Sequence, residues 1–186
     1  MIDIQSDFIL TQCDLLLLTE TQISYGSDTS NIMLNNFNIE FSNDNDKFKS
    51  LAACYRDGIS FDVHLVLDGC MVFSVSKETI SILGLLIYKK NNMSNSNFVS
   101  LLQRIFSGFN NIDIILGDLN LDGFAMPQVV SDVIDNYDLL VKEATQLSGR
   151  MLDQLYVNKD CPFPVSTLVK NIYFSDHDAI ICQLTN

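Results

Sequence analysis

The chain has 186 residues, the usual size of one domain. Apolar residues make up 47% of it and charged residues 18%, so the composition excludes an intrinsically disordered chain. The 23 acidic residues outnumber the 11 basic residues and give a formal net charge of -12, which excludes a basic protein that coats nucleic-acid phosphates. An acidic enzyme that meets nucleic acid through a small metal-containing site is compatible with this charge.

Cysteine usage and the hydrophobic runs indicate the compartment. The number of cysteines is odd and no two of them are spaced as a CxxC pair, so we expect neither a zinc site nor a disulfide framework. The apolar run 15–18 is too short for a membrane helix and follows no basic leader. We therefore expect an intracellular protein, nuclear or cytoplasmic, that is neither secreted nor membrane-bound.

The first part of the chain predicts few clear elements. Apolar positions over 4–12 predict a short helix, and the continuous apolar run over 14–19 is typical of a strand that is buried on both faces. The region 21–56 has no clear pattern. Two Asn-rich stretches, 42–49 and 91–97, predict loops.

The remainder of the chain predicts strands with one long helix among them. An alternating pattern predicts a half-buried strand over 61–67, and the turn residues Asp68 and Gly69 separate it from the next strand. Apolar residues at helical spacing predict a helix over 96–109. The other predicted strands are 71–76, 81–88, 112–116, 139–143, 151–157 and 178–184.

Polar residues stand directly at the ends of three predicted strands. Glu20 follows the first strand, Asp118 and Asn120 follow a central strand, and Asp176 and His177 precede the last one. Charges at such positions lie at the rim of a core, which is unfavourable unless a cation or a hydrogen-bond donor faces them. Strand ends are also where α/β enzymes place their functional sites.

These residue types suit the hydrolysis of a phosphodiester. Glu20 and Asp176 offer hard oxygen ligands to a divalent cation. Asp118 can position or deprotonate a water molecule, with Asn120 as an orienting amide. A protonated His177 can stabilise the charge that develops on the phosphate oxygens, or the imidazole can act as a base, and a carboxylate partner would fix its tautomer.

Five motifs occur in a fixed order along the chain. They are LLLLTET with Glu20, LLIYKK with Tyr88, IILGDLN with Asp118 and Asn120, ATQLSGRMLDQLYV with Thr145 and Asp153, and YFSDHDAI with Ser175, Asp176 and His177. Each motif alone is weak, but the ordered set is specific. The set resembles the endonuclease/exonuclease/phosphatase superfamily, which has the DNase I-like fold, and in motif it is closest to the endonucleases of retroelements and to abasic-site endonucleases.

The resemblance implies a role for each matching residue. The implied catalytic set is Asp118, Asn120, Asp153, His177 and Tyr88, the implied metal ligands are Glu20 and Asp176, and the implied contacts to the substrate phosphate are Thr145 and Ser175. Within this set Asp153 would fix the orientation of His177. Asp176 would hold either the metal or the same imidazole.

The implied fold is α/β, a two-sheet β-sandwich flanked by helices. The family begins with a strand that ends in a metal-binding or phosphate-binding Asn, and no such strand precedes Glu20 here. We therefore expect a single domain over 1–186 that is N-terminally truncated by one strand. The implied activity is that of a phosphodiesterase dependent on Mg²⁺ or Mn²⁺. More narrowly, it is a DNA endonuclease of mobile-element type that nicks its DNA substrate by water attack and belongs to a larger mobile-element polyprotein.

Three other functions fit the same sequence. A catalytically inactive remnant would keep the core without metal affinity, and the absent first strand favours it. A phosphatase acting on small phosphate esters shares the fold, although such enzymes usually have a His where this chain has Tyr88. An interaction module of the same fold would tolerate the loss of His177. The exact substrate, the number of metals and the oligomeric state stay open.

Overall fold

The computed structural model describes residues 4, 6–24, 34–42 and 48–185. Its strands are β1 (Leu15–Leu18), β2 (Ile23–Ser24), β3 (Asn38–Phe41), β4 (Phe48–Lys49), β5 (Ala52–Tyr55), β6 (Ser60–Leu67), β7 (Cys70–Lys77), β8 (Ile80–Tyr88), β9 (Ile114–Asp118), β10 (Tyr137–Leu139), β11 (Asp153–Asn158), β12 (Val165–Lys170) and β13 (Ala179–Leu184). Its helices are α1 (Asn95–Gly108) and the short α2 (Gln128–Ser131), with 3-10 turns over Leu10–Gln12 and Gly123–Ala125.

A six-stranded sheet forms the centre of the fold, in the order β10-β11-β9-β8-β7-β6. Neighbouring strands in it run antiparallel except β8 and β9, which are parallel. Parallel neighbours need a long crossover connection, and α1 supplies it between these two strands. The parallel register sets Tyr88 beside Asp118, and the antiparallel register of β9 and β11 sets Asp153 on its other side.

Helix α1 covers one face of the central sheet. The hydroxyl of Ser94 caps its first turn by accepting the N–H of Asn97 at 3.2 Å. Its buried stripe consists of Phe98, Leu101, Leu102 and Ile105, which pack in one cluster with residues of β7, β8 and β9. The helix predicted over 96–109 is therefore confirmed to within one residue at each end. Within the described residues no helix is long and apolar enough to span a membrane.

Two smaller sheets cover the opposite face, one ordered β1-β5-β3 and the other formed by β12 and β13. Leu51, Met71 and Phe73 are fully buried between the central sheet and the first of them. Leu155 and its neighbours pack against β12 and β13 in a separate cluster. The predicted two-sheet sandwich is confirmed, and both α1 and α2 contribute to the cluster on one side of the central sheet.

The strand predicted over 139–143 is wrong except at Leu139, the residue that it shares with the observed strand β10 (Tyr137–Leu139). Leu140 still donates its backbone N–H to the Leu155 carbonyl at 2.9 Å, after which the pairing with β11 ceases. The apolar residues that suggested a longer strand include Val141, which is buried in the core without belonging to a strand.

The helix predicted over 4–12 is confirmed in part. Ile4 and Ser6 are α-helical, and a 3-10 turn follows at Leu10–Gln12. The carboxylate of Asp7 accepts the backbone N–H of both Ile9 and Leu10 at 3.0 Å, and this local bonding competes with a continuous helix. Lys170 on β12 pairs with the same carboxylate at 2.6 Å and fixes the turn to the sandwich.

Five of the described strands, β2, β3, β4, β5 and β12, appear where the sequence predicted none. β5 lies in the unpatterned region 21–56 and is buried at three successive positions, so it lacks the alternation by which a strand is recognised. β12 alternates between half-buried and exposed positions but carries few strongly apolar residues. Residues 25–33 and 43–47, which include most of the loop predicted over 42–49, lie outside the described residues.

Candidate active site

Asp118 ends β9 at the centre of the candidate site, and only 2% of it is exposed. The preceding Gly117 has a φ of +126°, and a Cβ there would lie 2.1 Å from the carbonyl oxygen of Ile87. Only glycine tolerates both this backbone conformation and such a close approach of β8 and β9. Gly117 is therefore required by the packing of the parallel strands, whatever the role of the Asp118 that follows it.

Asn120 binds the Asp118 carboxylate from the following turn. Its backbone N–H donates to Oδ1 at 2.8 Å and its side-chain amide donates to Oδ2 at 3.2 Å. The same amide donates to the carbonyl of Lys89 at 2.9 Å, and the Lys89 N–H donates to the Asp118 carbonyl at 2.9 Å. Asn120 adopts a positive φ of 49°, which Asn tolerates better than most residues. The carboxylate is thus held in one orientation.

Asp153 and His177 form a hydrogen-bonded pair beside Asp118. Oδ2 of Asp153 lies 2.6 Å from Nδ1 of His177, and 16% and 23% of the two side chains are exposed. A carboxylate accepts only, so Nδ1 carries the proton and Nε2 is the nitrogen left for other partners. The structure brings together the two residues that the sequence paired.

A short backbone bridge fixes the segment that carries His177. Gln146 and His177 form an antiparallel bridge, and Leu147 donates its N–H to the Asp176 carbonyl at 3.0 Å. The hydroxyl of Ser175 accepts the His177 N–H at 3.0 Å. The turn that precedes β11 and the turn that precedes β13 are therefore joined at the site.

Burial and neighbouring charges shift the pKa values of the three central groups. Burial raises the pKa of Asp118 to about 6, the Asn120 N–H opposes this, and the carboxylates of Asp153 and Glu20 add to it. Burial also raises the pKa of Asp153 against the influence of His177. Burial lowers the pKa of His177, but Asp153 and the other nearby carboxylates outweigh this and raise it overall. The site thus combines a carboxyl that titrates near neutrality with an imidazole that favours its charged form.

Glu20 and Tyr88 meet on the other side of Asp118. The Tyr88 hydroxyl donates to Oε1 of Glu20 across the gap between the sheets. Burial first, and then this hydrogen bond, raise the pKa of Tyr88, so the hydroxyl keeps its proton. Glu20 is exposed at the end of the turn after β1 and has a positive φ of 50°. An exposed carboxylate with one donor attached is available to a ligand.

The two predicted metal ligands, Glu20 and Asp176, do not converge on one point with a third ligand. Across residues 4, 6–24, 34–42 and 48–185 no three His, Cys, Asp or Glu side chains form a group that would hold a metal ion. The exposed Asp176 carboxylate instead accepts from the Gln146 amide at 3.3 Å. The carboxylates of Glu20 and Asp176 fit a cation that takes one or two carboxylate ligands and keeps several waters, as Mg²⁺ does. They do not fit a cage made entirely of protein ligands.

The two predicted phosphate contacts differ in accessibility. Ser175 is exposed, although its hydroxyl accepts the His177 N–H. Thr145 is completely buried, and its hydroxyl accepts the N–H groups of Leu152 and Asp153 at 3.0 and 2.9 Å. The buried hydroxyl of Thr145 presents no surface to a phosphate. The sequence alone does not predict that the loop residue Thr145 is buried.

The sequence also missed a residue that anchors the turn after Asp118. Gln154 is completely buried and donates to the carbonyls of Leu121 at 2.6 Å and Met151 at 3.0 Å. Its side-chain oxygen accepts the Tyr156 hydroxyl at 2.6 Å. A glutamine inside an otherwise apolar strand was the available signal, since buried polar groups are almost always hydrogen-bonded.

Comparison with known proteins gives matches in structure only. No family model matches the chain, and no curated protein matches its sequence. The endonuclease domain of TRAS1, a telomere-specific non-LTR retrotransposon, superposes with a TM-score of 0.78 at 11% identity, covering 98% of this chain and 90% of that one. D. rerio TDP2 complexed with a single-strand DNA product gives 0.68 at 14% identity, covering 100% and 92%. The human Nocturnin catalytic domain with a bound sulfate anion gives 0.61 at 15% identity, covering 98% and 85%.

The fold places the chain in the class of proteins that have the DNase I-like fold. The resemblance predicted from the five ordered motifs is confirmed at the level of the fold. Within that class the chain is similar to the endonuclease domain of a retrotransposon over nearly the whole length of both.

Proposed function

We propose that the chain is a nuclease-type phosphodiesterase that hydrolyses DNA by water attack on phosphorus. The observation that carries this proposal is the position of Asp118 between two preformed pairs, Tyr88–Glu20 and Asp153–His177. The shared fold with a retrotransposon endonuclease domain and with TDP2 in a DNA product complex supports a DNA substrate. The ordered motifs support the mobile-element type, as one domain of a larger polyprotein.

Asp118 is the group proposed to take the proton of the attacking water. A general base works best when its pKa lies near the working pH, and burial brings the pKa of Asp118 to about 6. Asn120 holds both carboxylate oxygens, so the base is oriented before the substrate arrives. As the water oxygen bonds to phosphorus, its proton moves to Asp118. The opposite P–O ester bond breaks, and its electron pair passes to the leaving oxygen, which takes a proton from solvent water.

His177 is proposed to stabilise the negative charge on the non-bridging phosphate oxygens. Its raised pKa favours the imidazolium, and Asp153 holds Nδ1 so that Nε2 is directed away from that carboxylate. Glu20, with Asp176 as a second candidate, would hold Mg²⁺ or Mn²⁺, which supplies Lewis-acid stabilisation of the phosphate when bound. Tyr88 holds Glu20 and supplies a neutral hydroxyl at the same edge.

The test is nicking of supercoiled plasmid by the purified chain in Mg²⁺, in Mn²⁺ and in EDTA. We expect nicking that requires the metal and is lost in both Asp118→Ala and His177→Ala. The matched control is His64→Ala, because His64 is the other of the two histidines, is exposed on β6 and contacts Ser74 instead of the site. A folded wild-type chain that nicks in neither metal would exclude an autonomous nuclease. Hydrolysis of a small phosphate ester by that same chain would then identify a phosphatase, and failure on both would identify a remnant or an interaction module.

A further inference from the structure

Thr145 lies beneath the Asp153–His177 pair and has no part in the proposed chemistry. Its hydroxyl oxygen accepts two consecutive N–H groups, those of Leu152 and Asp153, at 3.0 and 2.9 Å. Asp153 is the first residue of β11, so these bonds hold the backbone at the point where its carboxylate leaves the strand. The side chain of Thr145 is completely buried.

The backbone of Thr145 holds the other member of the pair. Its carbonyl accepts the N–H of Asp178, the residue that follows His177, at 2.7 Å, and its own N–H donates to the Arg150 carbonyl at 3.0 Å. One buried residue is thus bonded on its side-chain oxygen to the segment of Asp153 and on its carbonyl to the segment of His177. A displacement of Thr145 would change the geometry of both partners together.

The hydroxyl of Thr145 also has a proton to donate. A threonine hydroxyl has two acceptor sites and one donor, and the two N–H groups occupy the acceptor sites. A buried donor needs a partner, and the Thr145 hydroxyl lowers the pKa of the neighbouring Asp153 carboxyl, as a donor to the ionised form does. The same hydroxyl therefore acts on the backbone of Asp153 and on its carboxylate.

We propose that Thr145 is a positioning residue that sets the orientation of Asp153 and, through it, of the His177 imidazole. This inference rests on the proposed function for its kinetic consequence, but its structural content does not depend on catalysis. It assigns Thr145 to the interior of the site, whereas the sequence resemblance implied a contact with the substrate phosphate.

The kinetic test compares Thr145→Val, which keeps the shape and loses the hydroxyl, with Thr145→Ser, which keeps the hydroxyl. We expect Thr145→Val to lower kcat roughly 10- to 100-fold with KM unchanged, and Thr145→Ser to restore most of the loss. A raised KM at unchanged kcat in Thr145→Val would instead indicate a contact with substrate and overturn the inference. Equal losses in both variants would show that the hydroxyl is not the group responsible, because Thr145→Ser retains it, and would overturn the inference too.

A second readout needs no activity. The chain has two histidines, so the Nδ1 proton that His177 donates to Asp153 can be assigned in the NMR spectrum with His64→Gln as the reference. We expect this downfield, slowly exchanging signal in the wild type and in Thr145→Ser, and its loss in Thr145→Val. Its persistence in a folded Thr145→Val would contradict the inference. If Thr145→Val does not fold, Thr145→Cys gives the same comparison, because a thiol is a poor hydrogen-bond acceptor.

The two readouts separate the proposals. A wild-type chain without nuclease activity whose Nδ1 signal still depends on the Thr145 hydroxyl would refute the proposed function and keep the positioning role. An active nuclease whose Nδ1 signal and kcat are unchanged by loss of the Thr145 hydroxyl would support the proposed function and refute the positioning role.

Discussion

Asp118 and Asp153 face each other directly across the antiparallel pair of β9 and β11. Two carboxylates in opposing positions normally repel, and here both are largely buried. Burial and this repulsion raise the pKa of Asp118, and the hydrogen bond from His177 partly relieves Asp153. The site therefore stores unfavourable electrostatic free energy that a bound cation or phosphate-linked metal would relieve.

The first prediction concerns the stability of the fold as a function of pH. The pKa of Asp118 rises from 3.8 to about 6 on folding, so folding favours its protonated form. The associated stability is present below the unfolded pKa of about 4 and is lost as the pH rises through about 6, a loss of roughly 2 to 3 kcal/mol. The melting temperature of the wild type should therefore fall relative to that of Asp118→Asn as the pH rises from 4.5 to 7.5. Melting temperatures that change in parallel with pH in the two proteins would show that folding does not raise the pKa of Asp118.

The second prediction concerns the pH dependence of activity. An ionised Asp118 and a protonated His177 together give a bell-shaped profile of kcat/KM, with the acid limb near pH 6. In Asp153→Asn the imidazole loses the main carboxylate that raises its pKa, although Asp118 and Asp176 still act on it. We expect the alkaline limb to move to lower pH, and the acid limb to move in the same direction because Asp153 no longer raises the pKa of Asp118. An unchanged alkaline limb would assign that limb to another group.

The third prediction concerns the buried anchor of the turn after Asp118. Gln154→Leu leaves the carbonyls of Leu121 and Met151 and the hydroxyl of Tyr156 without their partner, which should cost about 1 to 3 kcal/mol of unfolding free energy. Urea denaturation measures this loss. Gln183→Leu on β13 is the control, because Gln183 is exposed and its replacement should have little effect. Similar values for both variants would argue against an anchoring role.

The fourth prediction concerns the contact between the parallel strands. Gly117→Ala places a Cβ 2.1 Å from the Ile87 carbonyl oxygen at a φ of +126°, so it should destabilise the fold by at least about 2 kcal/mol. Gly108→Ala, at the end of α1 with no atom near its added Cβ, should instead be neutral or stabilise by about 0.5 to 1 kcal/mol. The two melting temperatures measure the difference, and a stable Gly117→Ala would disprove the close approach.

Short apolar runs bounded by polar residues located most of the central sheet and placed Asp118 and His177 at strand ends. That prediction succeeds because a buried strand must end where polar side chains begin. The opposition of Asp118 and Asp153 was not accessible, because it depends on the register between strands that are distant in sequence. The strand β1 was predicted, but β2, β3, β4 and β5 were missed because they are stabilised by their neighbours in the sheets and not by a local pattern.

The burial of Thr145 and Gln154 could not be predicted from their residue types alone. Threonine before a turn and glutamine in a strand are both common at surfaces, and only the fold shows that each satisfies several backbone groups. The sequence also could not show whether the predicted metal ligands converge on one point. The motif order named Glu20 and Asp176, while the described structure gives each of them a different hydrogen-bond partner.

The backbone bridge between Gln146 and His177 has a mechanical consequence. Leu147 also donates its N–H to the Asp176 carbonyl and is itself strongly exposed, so the 146–149 turn links the protein surface to the segment that carries His177. A ligand that displaced this turn would therefore act on the backbone of His177 through these bonds.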